Sequence, residues 1–184
     1  PNKWTDYSSI DIQANKLFEN VMKLNTFEIK KQLNKYGKET DKEKWEMNAH
    51  VVNAYYNPLA NEIVFPAGIL QAPFFTAESD DALNYGGIGA VIGHEFSHGF
   101  DDQGSQFDAE GNLNNWWTEE DRSKFDELTG KLATQYSNFE VLPNVNVNGK
   151  FTLGENIADQ GGVVLSYYAL LKEYQNKPEP ALID

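Results

Sequence analysis

Two histidines stand four residues apart with a glutamate directly after the first, in His94-Glu95-Phe96-Ser97-His98. At 3.6 residues per turn the two imidazoles share one helix face, and that spacing can hold a single metal ion. Glu95 falls on the flank of the same face. There it cannot easily ligate the ion, but it can take a proton from water held at the open position. Metal ligands and a general base are therefore encoded within five residues.

Tetrahedral zinc with one open position needs a third protein ligand. Gly154-Glu155-Asn156-Ile157-Ala158-Asp159 begins a second apolar-periodic stretch, and Glu155 supplies the carboxylate. Asp159 follows one turn later on the same face, where it can accept the free ring N–H of a ligating histidine and fix its tautomer. An N/N/O set suits zinc best, although Co²⁺ or Mn²⁺ could occupy the same geometry. Asp101 and Asp102 lie just past the histidine helix, and two readings are open for them: orientation of His98, or a turn that ends the helix. His50 reads as an ordinary, partly exposed histidine.

Five separate segments then agree with one family. They are Val52-Asn53-Ala54-Tyr55-Tyr56, Phe65-Pro66-Ala67-Gly68-Ile69-Leu70-Gln71, Gly86-Gly87-Ile88-Gly89 running into HEFSHGFDD, Asn115-Trp116-Trp117, and GENIADQGG. In order and spacing they resemble the neprilysin (M13) family of zinc endopeptidases, over nearly all of the chain from Trp45 to Tyr174. The resemblance implies an α+β, mainly helical fold: a thermolysin-like gluzincin core with a small β-ribbon. It implies one Zn²⁺ held by His94, His98 and Glu155, with Glu95 as base and Asp159 assisting catalysis from beside the metal. It also implies that Asn53 and the backbone of Ala54 pair with an extended peptide, and that Ile69, Phe74 and Val91 form the apolar pocket after the scissile bond. Cleavage would then fall on the amino side of bulky hydrophobic residues. Family members also carry an oxyanion-donating histidine and a substrate-binding arginine further downstream, and a large N-terminal helical domain. The expectation is that residues 1–184 form a single partial catalytic domain, the zinc-bearing core of a longer enzyme. A non-catalytic zinc- or peptide-binding fragment is the alternative.

Composition restricts the partners. A formal charge of −13 and a pI near 4.6 argue against nucleic acid or an anionic membrane, because phosphate binding needs clustered Lys or Arg. No cysteine is present, so any metal site must use His, Asp or Glu. Animal members of the family are disulfide-rich, and a cysteine-free relative reads as bacterial and cytoplasmic, with cell surface or secreted as the alternative. No apolar run approaches 18 residues and no N-terminal signal pattern is visible, so no membrane segment is expected in this chain.

The elements that must position these groups are also legible. Apolar positions between 10 and 36 predict one or two amphipathic helices, and the polar stretch Gly37 to Lys44 is a connection. Val51 to Tyr56 and Glu62 to Phe65 flank the turn-forming Asn57-Pro58-Leu59-Ala60-Asn61, which predicts a short ribbon. Leu83 to Phe100 reads as the histidine helix, yet it contains Gly86, Gly87, Gly89 and Gly93. Each interior glycine costs about 1 kcal/mol relative to alanine, so another backbone is expected to pack closely there. Thr118 with Glu119, Glu120 and Asp121 predicts a capped helix with Phe125, Leu128, Leu132 and Tyr136 inward. Val141 to Phe151 reads as loop with room for short strands, and Glu155 to Tyr174 as a helix ended by Pro178 and Pro180. Gly87-x-Gly89-x-x-x-Gly93 loosely resembles a dinucleotide loop, but acidic, polar residues 77–84 precede it instead of a buried strand.

Overall fold

Asn15 takes a left-handed conformation, φ 65°, and two residues later the chain enters α1, Leu17–Leu33. The computed structural model describes residues 5–175. The chain divides into two compact units, Pro1–Glu46 and Met47–Asp184, a boundary just after the polar connection that the sequence reading does not draw. In the first unit the expected one or two helices are the single α1. Tyr7 packs its ring 5.2 Å from that of Phe27 and donates its hydroxyl to Glu28 at 2.7 Å. No α1 residue is buried.

The second unit carries every candidate site residue. It is mainly helical with two two-stranded antiparallel sheets. Strands β1, Tyr55–Asn57, and β2, Glu62–Val64, pair with Tyr56 opposite Ile63, and left-handed Asn61, φ 48°, closes the turn. Asn53 and Ala54 lead into β1 without belonging to it.

The histidine helix changes pitch along its length. Asp80 caps α2, Asp81–Asn84, by accepting the Ala82 N–H at 2.8 Å. A π-turn, Tyr85–Gly89, follows and leads into α3, Ala90–Ser97, and then a 3₁₀ turn, His98–Phe100. The Phe74 carbonyl accepts the Ile88 N–H at 2.8 Å, and the Ser166 hydroxyl donates to the Tyr85 carbonyl, so partners outside the helix satisfy the π-turn. Extended Asp101 ends the run.

Helix α4, Glu119–Ser137, starts where Thr118 Oγ1 accepts the Asp121 N–H at 3.1 Å. Phe125, Leu132 and Tyr136 are half-buried, but Leu128 is 64% exposed, against expectation. At about 100° per residue the first three fall within about 40° of one another, while Leu128 sits roughly 60° from Phe125 and off that stripe. A hairpin, β3 Glu140–Leu142 and β4 Val145–Asn146, realises the short strands, and α5 spans Leu153–Tyr174. Pro178 and Pro180 lie outside the described residues. Among the described residues no helix is long and apolar enough to cross a membrane.

Helices α3 and α5 meet through backbone. A Cβ added at Gly93 would stand 2.8 Å from Gly162 Cα, and one at Gly162 would stand 2.5 Å from the Ala90 carbonyl oxygen and 2.7 Å from His94 N. Gly161 faces Ser97 just as closely. Of the four glycines from which a close approach was inferred, Gly93 meets this seam, Gly87 faces the Phe74 carbonyl and Gly89 the Ser166 hydroxyl, while a Cβ at Gly86 would have nothing within 4 Å.

Candidate active site

His94 sits in the last turn of α3 and His98 opens the 3₁₀ turn after it, so the i,i+4 spacing turns both rings toward the start of α5. Their Nε2 atoms are 2.9 Å apart, with the ring planes crossed at 87°. Each Nδ1 meets a carboxylate: His94 meets Asp159 at 2.8 Å, and His98 meets Asp101 at 2.7 Å. A neutral imidazole carries one N–H, and a carboxylate at Nδ1 draws it there, leaving a lone pair on Nε2. Two lone pairs 2.9 Å apart repel each other unless a proton or a cation lies between them. Glu155 Oε2 is 3.4 Å from His94 Nε2 and 3.8 Å from His98 Nε2, completing a convergent N/N/O set. The donor types and the fixed tautomers fit zinc.

Glu95 also belongs to this cluster: one ligand atom from each of His94, Glu95 and His98 lies within 4.8 Å of the others. Surroundings separate the two carboxylates. The Glu155 side chain is 70% exposed and comes from α5, whereas Glu95 is 6% exposed on α3. Burial raises the Glu95 carboxyl above its usual range; His94 and His98 pull it back, Glu155 pushes it up, and the Tyr56 backbone N–H lowers it. A carboxylate raised by burial is better suited to proton transfer near neutrality than an exposed one.

Asp101 realises both readings left open by the sequence. Its Oδ2 meets His98, while its Oδ1 accepts the backbone N–H groups of Gln103 and Gly104 at 2.8 and 2.7 Å and so builds the helix-ending turn. Burial alone would raise its carboxyl, but the His98 bond and these two amides bring it below the usual range. His98 is raised in turn, chiefly by Asp101 and against its own desolvation. Its position three residues after His98 was the available signal, and only the turn geometry selects it.

The cleft over these groups has a volume of about 400 Å³ and is walled by Asn53, Ala54, Tyr56, His94, His98 and Glu155 among others. Asn53 Oδ1 accepts the Ala54 N–H at 2.9 Å, leaving the Ala54 carbonyl and the Asn53 amide nitrogen for other partners. Ile69, Phe74 and Val91 do not line this cleft. Ile69 is buried in the 3₁₀ turn Ala67–Ile69, and Phe74 and Val91 are half-buried. Their chain neighbours Phe75 and Ile92 instead wall a separate apolar groove with Ile88, Phe96 and Leu165. His50 is exposed and outside the cleft.

Residues 53–184 match the model of Peptidase family M13. Human neprilysin is 46% identical over 173 residues, covering 93% of this chain and 22% of that protein. An endothelin-converting enzyme homolog of Locusta migratoria is 45% identical over 172 residues, covering 94% of this chain and 24% of that one. Among solved structures, the Mycobacterium tuberculosis zinc metalloprotease ZMP1 in complex with an inhibitor superposes with a TM-score of 0.87 at 45% identity, over 99% of this chain and 29% of that one. The chain therefore spans about a quarter of the length of the relatives it matches.

Proposed function

The chain belongs to peptidase family M13, and from that premise we propose that it is the zinc-bearing part of a thermolysin-like metalloendopeptidase acting on oligopeptides. One observation carries the reading: two imidazole Nε2 atoms 2.9 Å apart, each ring fixed from behind by a carboxylate at Nδ1, with Glu155 Oε2 beside them. His94, His98 and Glu155 would hold the ion. Bound zinc supplies Lewis acidity, which brings the pKa of a water ligand toward about 7 and polarises a carbonyl oxygen.

The chain's own residues do the rest. Glu95, buried beside the donors, takes the proton of the attacking water and returns it to the amine as the C–N bond breaks. Asp159 and Asp101 hold the imidazoles in the tautomer that presents Nε2. The Ala54 carbonyl and the Asn53 carboxamide hold an extended peptide across the cleft, converting binding contacts into reactive orientation. Cleavage before a bulky apolar residue is the specificity carried over from the sequence resemblance.

The test is zinc content and turnover of full-length wild type, Glu95→Gln and His94→Ala at neutral pH. Glu95→Gln should keep its zinc and lose about 10²–10⁴ in kcat or more, because one residue handles both proton transfers. His94→Ala should lose stoichiometric zinc. Near-normal turnover in zinc-loaded Glu95→Gln would remove Glu95 as the base. Zinc without peptide turnover in the wild type would favour the non-catalytic binding module.

A further inference from the structure

The residue just before Glu155 has no side chain, and two carboxylates occupy the space one would fill. We propose that Gly154 is a positioning residue for the metal donors: its bare Cα lets the Asp101–Asp102 turn sit on the first turn of α5, so that one contact sets both the orientation of His98 and the approach of Glu155. This rests on the peptidase reading above and adds a residue to it.

Gly154 is the second residue of α5. A Cβ added there would stand 3.1 Å from Asp101 Oδ2 and 3.0 Å from Asp102 Oδ1. Both contacts are too close for a methyl group, so an alanine would have to displace something. The Asp101 oxygen concerned is the one that meets His98 Nδ1 at 2.7 Å. The seating also has an electrostatic basis. Helix α5 starts without a side-chain cap, and negative groups are favourable at the amino end of a helix, where the first N–H groups lack intrahelical partners. Glu155, whose side chain is 70% exposed, depends on where this first turn sits and not on packing around itself.

What yields to a methyl at Gly154 decides the consequence. Helix α5 itself is locked, because Gly162, about two turns on, already packs its backbone against Ala90 and His94. Asp102 can yield: its Oδ1 is buried with no hydrogen-bond partner among the described residues, so moving that oxygen breaks no bond. Asp101 cannot yield without loss. Its side chain is 6% exposed, and its Oδ1 accepts the Gln103 and Gly104 N–H groups at 2.8 and 2.7 Å. A carboxylate is planar and rigid, so with Oδ1 held the group moves only by withdrawing Oδ2 from His98. His94 is fixed elsewhere, by Asp159 at 2.8 Å, one turn beyond Glu155. The disturbance therefore reaches one histidine and spares the other.

The experiment compares full-length wild type, Gly154→Ala, Asp101→Ala and the double variant. Zinc affinity is measured by competition with a chelator, and the Nδ1–H protons of His94 and His98 are followed in the metal-free proteins by NMR of isotope-labelled histidine. Gly154→Ala should bind zinc about 10- to 100-fold more weakly, the usual cost of losing the partner of a ligating imidazole. In its metal-free spectrum the His98 Nδ1–H should be lost to exchange with water while that of His94 persists. Once Asp101 is alanine the methyl has no bond to break, so the double variant should bind zinc within about threefold of Asp101→Ala alone. Zinc affinity of Gly154→Ala within about twofold of wild type, equal disturbance of both histidines, or additive losses in the double variant would overturn the proposal. If Gly154→Ala fails to fold, the comparison of Asp101→Ala with the double variant decides it. A wild type that binds zinc but turns over no peptide would sink the peptidase reading instead and leave the role of Gly154 to be decided by the same spectra and affinities.

Discussion

Helix α4 and the α3–α5 pair are built by opposite means. Helix α4 follows local rules: a threonine cap, three acidic residues in the first turn, and i,i+4 ion pairs such as Glu120–Lys124 and Glu127–Lys131, each at 2.6 Å. It has no fully buried residue. Helix α5 begins without a side-chain cap and buries Leu153, Asn156, Ala158, Gly162 and Ser166, largely against α3. Glycine is a defect in the first helix and a requirement in the second. The site lies where local propensity was sacrificed, because only bare backbones let Glu155 approach two histidines on a different helix.

The same substitution tests that contrast at its extremes. Gly162→Ala drives a methyl into the Ala90 carbonyl and the His94 amide, neither of which can yield as a flexible side chain would. We expect a loss of about 3 kcal/mol, at the upper end of overpacking costs, with zinc affinity falling as His94 moves. Chemical denaturation and metal titration would show it, and a stable variant with normal zinc would break the seam argument.

Asp159→Asn should be milder. It leaves the seam intact but no longer draws the His94 proton to Nδ1, and loss of such a partner typically weakens metal binding about 10- to 100-fold. Competition with a chelator of known affinity measures it, and unchanged affinity would make Asp159 a bystander. Thr118→Ala on α4 should cost about 1 kcal/mol and leave zinc affinity alone. If zinc affinity fell with it, the separation between scaffold and site would be wrong.

The smallest effect should have the opposite sign. Gly130, within α4, has nothing within 4 Å of where a Cβ would stand. Gly130→Ala should therefore stabilise by about 0.5–1 kcal/mol, the ordinary helix-propensity difference. A destabilised Gly130→Ala in a denaturant titration would show that α4 is packed against something its own sequence does not reveal.

What could be read beforehand follows the same division. The His94–Glu95–His98 spacing, the Thr118 cap and the turn at Asn57–Asn61 each rest on contacts within a few residues, so the chain order alone specified them. Leu128 was misplaced because apolar character does not say how wide the buried stripe of α4 is. Ile69, Phe74 and Val91 were grouped as a pocket from resemblance alone, and they lie outside the walls of the cleft over the metal donors, which include Asn53, Ala54 and Tyr56.

By itself the sequence determined the family, the metal-ligand spacing and the presence of a base between the ligands, because these depend on residue type and helical period. It also signalled a close backbone contact, since interior glycines cost stability unless another chain segment occupies the space they leave. Only the tertiary structure decided which segment that was, Gly162 against Gly93, and that Asp101 both turns the chain and meets His98. It alone decided that Asp159 meets His94, 65 positions away along the chain, and not His98. Groups that far apart in sequence meet through the packing of whole elements, and no local pattern encodes the orientation of a hydrogen bond between them.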